Sequence, residues 1–251
     1  MSTAPTACLL IIGDEILSGR TQDANLKFIG NRMAEMGIRL LEARVVPDDP
    51  DAIVEALNMC RVRYTYIFTT GGIGPTHDDI TTACVAKAFG RNVVRNPEAV
   101  KTLMAYYGER ANDARLKMTE VPDGPNVELI NNRITAAPGY RIENVYVLAG
   151  IPNIAQAMFE AIAPTLKSGD PLHSSHVDAF VRESEIAAEL SKIQSNYPHV
   201  SIGSYPSLRE DKFCTSVVAR STDQTAIDAA LGEVADAMRK KGAEPIRPPL
   251  G

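Results

Sequence analysis

The run Ala7-Cys8-Leu9-Leu10-Ile11-Ile12 is apolar at every position and stops at Gly13. A strand with no polar face must be covered on both sides, which points to a parallel sheet held between helices. The residues that follow supply the covering layers. Between Asp23 and Gly37, Leu26, Ile29, Met33 and Met36 recur at helical spacing, and Gly37 is a natural stop. A second strand is expected over 38–46, closed by Pro47-Asp48-Asp49-Pro50. A second helix follows over 51–62, with Ile53, Leu57 and Cys60 on one side, then a third strand over 64–70 and a third helix over 78–89.

Strands alternating with helices give βαβ units and right-handed crossovers. Residues 96–118 read as helical with a break at 108–112, and 121–126 read as a loop. Residues 127–130 and 145–148 read as strands, and 153–166 as a helix. The pair Tyr106-Tyr107 reads as packing. Lys167-Ser168-Gly169-Asp170-Pro171 has the composition of a linker. Beyond it, a strand over 176–182, a helix over 183–196, strands over 200–205 and 212–220, and a helix over 223–241 form a compact β-α-β-β-α pattern. Two domains are therefore expected, 1–168 and 169–251. The first is a three-layer α/β/α unit with a mostly parallel sheet, and the second is a small α+β unit.

A chain of 251 residues with 45% hydrophobic residues can bury such a core without disulfides or structural metals. The net charge of −5 advertises no basic face, so nucleic acid is not expected as a partner. The β-α-β-β-α order is shared with RNA-binding modules, but the small domain has no Gly-x-x-Gly loop and no basic run. The four cysteines are scattered without a C-x-x-C pair, as expected of reduced structural thiols. The start lacks a basic leader region, and no apolar stretch is long enough for a membrane span. A cytoplasmic protein is the expectation.

Four strand ends carry the residues of chemical interest, and in parallel sheets the ligand crevice lies outside the carboxyl ends. The first delivers Gly13-Asp14-Glu15, the second Asp48-Asp49, and the third Gly71-Gly72-Ile73-Gly74-Pro75-Thr76-His77-Asp78-Asp79. The last delivers Gly150-Ile151-Pro152-Asn153. Gly71, Gly72 and Gly74 let the backbone approach a ligand, and the loop leads toward a helix start, where amides favour anions. The loop is neither a Walker loop nor G-x-G-x-x-G, because no Gly-Lys-Ser/Thr follows and Asp78-Asp79 intervene. Asp78 is also readable as a plain helix cap. The acids suggest a divalent cation such as Mg²⁺. Two like charges about 4 Å apart repel by about 4 kcal/mol at an effective dielectric near 20, and a phosphate would add to that repulsion.

Ile12-Gly13-Asp14-Glu15-Ile16-Leu17-Ser18-Gly19, Asn25, Asp48-Asp49 and the segment from Thr69 to Thr81 together resemble the MoaB/MogA-like molybdopterin-binding family. The Gly-Pro-Thr-x-Asp-Asp-x-Thr form is similar to the amino-terminal domain of CinA-type, competence/damage-inducible proteins. The resemblance continues through Ala137-Pro138-Gly139-Tyr140, Gly150-Ile151-Pro152 and Ile202-Gly203-Ser204-Tyr205-Pro206. It implies a Rossmann-like fold binding molybdopterin or an adenine dinucleotide, and a homo-oligomer, dimer or trimer.

The resemblance also implies one of two activities: metal-dependent hydrolysis of ADP-ribose- or FAD-type pyrophosphates, or adenylylation of molybdopterin. Asp48 and Asp79 then match catalytic and metal-binding acids, and Asp14 joins them as a catalytic candidate. Gly13, Glu15, Asn25, Gly71, Gly72, Gly74, Thr76, Asp78, Thr81, Pro138, Gly139, Gly150 and Pro152 become candidates for contacting the nucleotide or pterin.

Ala149-Gly150-Ile151-Pro152-Asn153-Ile154 stands where the family has Pro-Gly-x-Pro-Ser-Glu, so Ile154 replaces a glutamate. Thr135-Ala136 stands where Gly-Thr is common. A non-catalytic nucleotide sensor is thus a third alternative. The deamidase domain of full-length CinA proteins finds no counterpart before Gly251, so deamidation is not expected.

Overall fold

The computed structural model describes residues 4–209 and 211–246. Met1-Ser2-Thr3 and the end of the expected second domain lie outside the described residues. The chain divides into two compact units, one through Gly169 and one from Asp170.

In the first unit the elements run β1 (Thr6–Ile12), α1 (Asp14–Leu17), α2 (Asn25–Glu35), β2 (Arg39–Val46), α3 (Pro50–Arg61), β3 (Tyr66–Thr70) and α4 (Thr81–Ala88). They continue with β4 (Val93–Arg95), α5 (Pro97–Tyr107), α6 (Asp113–Lys117), β5 (Glu120–Pro122), β6 (Val127–Ile130), β7 (Gly139–Ile142), β8 (Val145–Leu148) and α7 (Pro152–Ile162). Six strands form one sheet in the order β2-β1-β3-β8-β7-β6. The pairs β1–β2, β1–β3 and β3–β8 are parallel, whereas β7 runs antiparallel to both β8 and β6.

The apolar run of β1 does what its composition requires. Ala7, Leu9 and Ile11 enter one core with Ile29 and Met33 of α2 and Phe159 of α7. Cys8, Leu10 and Ile12 enter the opposite core with Ile53 and Leu57 of α3 and Val85 of α4. Helices therefore cover both faces, giving the expected three layers.

Several boundaries differ from the sequence reading. The third helix begins at Thr81, not at residue 78, because Asp79 turns back and accepts bonds from the Thr76 amide and hydroxyl. Asp78 accordingly is not the helix cap. Asp49 caps α3 instead, accepting from the amides of Asp51 at 3.1 Å and Ala52 at 2.9 Å. Asp14 and Glu15 lie in the first turn of the four-residue α1. The ribbon β4–β5 has only three paired positions, too few to leave a period-two signal. Strand β7 has no counterpart in the sequence reading, its four residues following directly on Pro138.

The second unit runs β9 (His173–Ala179), α8 (Glu183–Asn196), β10 (Ser201–Arg209), β11 (Lys212–Ser221) and α9 (Gln224–Lys240). Its antiparallel sheet has the order β10-β11-β9. Val177, Ile186, Ile193, Val217, Ile227, Leu231 and Val234 belong to its core. Strand β9 begins three residues before the expected start, and β10 extends past Tyr205 through Pro206. Proline is tolerated there because β10 is an edge strand.

Candidate functional site

The carboxyl ends of β1, β3 and β8 and the loop after β2 surround a cavity of about 510 Å³. Of the residues expected to contact ligand, Gly13, Glu15, Asp48, Gly71, Gly72, Gly74, Asp78, Asp79, Pro138 and Gly150 line it. Asn25 and Pro152 line a smaller neighbouring cavity of about 60 Å³ together with Glu15, Thr70 and Gly150. Asp14, Thr76, Thr81 and Gly139 line neither cavity.

The strand β3 ends in a loop shaped by its glycines. Gly71 sits at φ +105, and a Cβ there would run into the carbonyl oxygen of Ile12. Gly72 sits at φ +67, and a Cβ there would meet Thr81 Oγ1. Thr81 is fully buried, and it donates its hydroxyl to the Gly71 carbonyl at 2.9 Å and its amide to the Gly72 carbonyl at 2.9 Å. Thr81 thus fixes the loop from behind. Thr76 is bracketed by Asp79, and Lys117 of α6 donates to the Thr76 carbonyl.

With the loop held this way, the amide of Gly71 is used by Leu148, but those of Gly72, Ile73 and Gly74 donate to no acceptor among the described residues. Three unspent N–H groups in one glycine-rich turn make an anion-binding surface.

Asp14 and Asp48 bridge the ends of β1 and β2. The Asp14 amide donates to Asp48 Oδ2 at 3.0 Å, and the Asp48 amide donates to Asp14 Oδ1 at 3.4 Å. Burial pushes the Asp48 carboxyl above the usual carboxylate range, and the charges of Asp14, Glu15 and Asp78 push in the same direction, while the Asp14 amide opposes them. The exposed Asp78 is held below that range by Thr76, its own amide, and the charges of His77 and Lys117.

Among the described residues, no three of these carboxylates bring ligand atoms within 4.8 Å of one another. The donor set that lines the cavity is nevertheless all oxygen where it is charged, with no thiol or imidazole. Such a set, centred on a carboxylate destabilised by burial and, less, by its acidic neighbours, fits a hard cation. Among the described residues Glu15 offers it two free oxygens, whereas Asp48 and Asp79 each offer one, their Oδ2 atoms being committed to the Asp14 amide and to Thr76.

Sequence reasoning missed most of the apolar wall. Tyr107 of α5, Met118 and Met158 line the cavity, beside Ile154, which the sequence had marked as standing in place of a glutamate. Tyr107 carries the Arg115 guanidinium over its ring at 4.4 Å. Its neighbour Tyr106 is exposed, so only one member of the tyrosine pair reaches the site. Lys117 was also missed. Both it and Tyr107 come from the helical excursion between β4 and β5, far in sequence from the glycine loop, and no local pattern announces such an approach.

Comparison with known proteins agrees with this architecture. Residues 8–168 match the model of a probable molybdopterin binding domain, and residues 171–246 match that of the FAD synthase middle domain. A protein of Pyrobaculum calidifontis is 31% identical, covering 94% of this chain and 97% of its own length. A CinA-like protein of Salinibacter ruber is 30% identical over 96% of this chain, which spans 60% of that longer protein. The crystal structure of the protein CinA from Thermoplasma acidophilum superposes with a TM-score of 0.60 at 32% identity, covering 64% of this chain and 98% of that one. With its fold and most of its length matched, the chain belongs to the molybdopterin-binding-domain family that includes CinA-like proteins.

Proposed function

We propose that the cavity binds a pyrophosphate-linked adenine nucleotide of the ADP-ribose or FAD type and hydrolyses it. The observation that carries this reading is the turn of three unspent amides in Gly72, Ile73 and Gly74, residues that line a cavity also lined by Asp48 with its raised carboxyl. The amides would take phosphate oxygens and stabilise the charge that develops as water adds to phosphorus and the bridging P–O bond breaks. Asp48 has the elevated proton affinity suited to accepting the proton of that water. Tyr107, Met118 and Ile154 give a flat ring an apolar wall. Asp79 holds Thr76, and through it the shape of the loop. A divalent cation held by Asp48 and Glu15 would supply Lewis-acid polarisation of a phosphoryl oxygen. The match of the second unit to a FAD synthase domain supports a flavin-type dinucleotide among the substrates.

A second reading, molybdopterin binding or adenylylation, is favoured by the description of the matching family model. One experiment separates the two. Purified protein is incubated with ADP-ribose, FAD or NAD and Mg²⁺, Mn²⁺ or Co²⁺, and products are resolved by chromatography. AMP formed only with metal, and lost in Asp79→Asn while the far-ultraviolet circular dichroism is retained, is the expected result. Wild-type turnover in Asp79→Asn would remove that residue from the mechanism. No product from any pair, with nucleotide still bound, would leave a sensor. Neither binding nor product would favour the pterin.

A further inference from the structure

The flank of the sheet formed by β1, β2 and α3 carries a second group of ligating side chains that the cavity does not use. Cys8 and Cys60 are fully buried, with their sulfurs 3.4 Å apart. Among the described residues, Cys8, Cys60 and Glu42 are the one place where three His, Cys, Asp or Glu ligand atoms lie within 4.8 Å of one another.

Glu42 is there because of a backbone irregularity. Ala7 pairs with Leu40, but Cys8 pairs with Glu42, so Leu41 is skipped by a bulge in β2. The inserted residue changes the face on which the strand presents its side chains. Leu40 packs into the core on the α2 side, whereas Val46 packs into the core on the α3 side. Without the bulge an apolar Leu41 would stand opposite Cys8. With it, Leu41 is exposed and a carboxylate faces two thiols.

That carboxylate is firmly oriented. Arg44 and the Tyr64 hydroxyl donate to its two oxygens, and Arg63 lies at 3.9 Å. Outer partners of this kind are what fix a ligating carboxylate.

We propose that Cys8, Cys60 and Glu42 form a binding site for a thiophilic divalent cation of the Zn²⁺ class, separate from the nucleotide cavity. Sulfur spacing selects among the chemistries open to two thiols. Two zinc–sulfur bonds of about 2.3 Å at a tetrahedral angle place their sulfurs about 3.8 Å apart, and a linear site needs about 4.6 Å. A disulfide requires about 2.05 Å. In the metal-free chain the Cys8 thiol donates to Cys60 Sγ at 3.4 Å, a small adjustment from the tetrahedral value and a large one from either alternative. Charge also fits. Two thiolates, one carboxylate and a divalent cation sum to −1, and Arg44, paired with Glu42, neutralises it. Glu42 is partly exposed on the edge strand of the sheet, which gives a cation and a fourth, water ligand their way in.

The test is a titration of the reduced, metal-free protein with Co²⁺ and Cd²⁺, followed by ultraviolet absorption. One cation per chain with a sulfur-to-metal charge-transfer band is expected, displaced by Zn²⁺. Cys60→Ser should abolish the band. Glu42→Gln should weaken binding at least about tenfold. Asp48→Asn should leave the band unchanged, since oxygen ligands in the cavity give none. No band in the wild type, or a band that survives Cys60→Ser, overturns the proposal. If Cys60→Ser does not fold, Glu42→Gln decides, and unaltered affinity overturns it.

Discussion

The two ends of the parallel sheet are built in opposite ways. At the amino ends polar groups close on one another. Thr6 and Thr65 exchange amide-to-hydroxyl bonds of 3.2 and 3.3 Å. Asn144 donates to the carbonyls of Arg61 at 2.9 Å and Tyr64 at 3.1 Å, and the Tyr66 hydroxyl accepts the Lys167 amide at 2.7 Å. At the carboxyl ends, three loop amides are unspent among the described residues. Asn25 Oδ1 and Thr70 Oγ1 are buried with no partner among those residues, and acids crowd Asp48. A buried polar atom without a partner costs about 1–3 kcal/mol. One end contributes stability, and the other gives some of it up to keep binding capacity open.

The sharpest break in this contrast should come from Asp48→Asn. Turnover is expected to fall at least about 100-fold, the usual minimum for a lost proton acceptor, while stability at neutral pH rises. The sign follows from linkage. Because Asp48 holds its proton more tightly in the folded chain than in the unfolded one, its contribution to stability falls as pH climbs from the ordinary carboxylate range through the raised value. The variant lacks that loss. Urea denaturation should therefore show its advantage over wild type shrinking as pH is lowered toward about 4. An advantage that does not shrink would mean that Asp48 is not the strained group at this end.

Gly71→Ala tests the loop's backbone. A side chain at φ +105 that also strikes the Ile12 carbonyl should cost about 3 kcal/mol, combining an unfavourable conformation with overpacking. Thermal unfolding with and without nucleotide would measure it, and the ligand-induced rise in Tm should vanish. At the opposite end Asn144→Ala should cost about 2 kcal/mol for two lost hydrogen bonds and leave turnover unchanged. Equal damage to turnover from both variants would dissolve the division between the ends.

The sequence showed the carboxyl end far better than the walls around it. The apolar β1 run, the glycines of the third loop and the Asp48-Asp49 pair are local signals, each fixed by composition at neighbouring positions. The three-layer sheet and the gathering of Gly13, Asp48, Gly71 and Gly150 about one cavity follow from them by topology alone. Asp78 is readable in the sequence either as a ligand contact or as a helix cap, because an acid before a helix has two uses, and the structure removes the second. Asp79 takes up the Thr76 amide first, and the helix start moves to Thr81. The bulge that turns Glu42 toward Cys8 leaves no mark at all in the hydrophobic pattern, since Leu41 and Glu42 are an ordinary pair in any strand.

Tyr107 is the clearest case of a long-range contribution, and its removal is the mildest change expected. It reaches the cavity from α5, and the Arg115 guanidinium over its ring holds it in place. It contributes surface rather than charge, so it should bind substrate and transition state alike. Tyr107→Ala is then expected to raise KM by about fivefold to tenfold with kcat nearly unchanged, equivalent to roughly 1 kcal/mol of uniform binding. Tyr107→Phe should restore most of the loss, because the ring, not the hydroxyl, forms the wall. A fall in kcat at constant KM would instead mean that the wall orients the reacting phosphate. In that case the chemistry of the carboxyl end would extend beyond the loops where the strands deliver it.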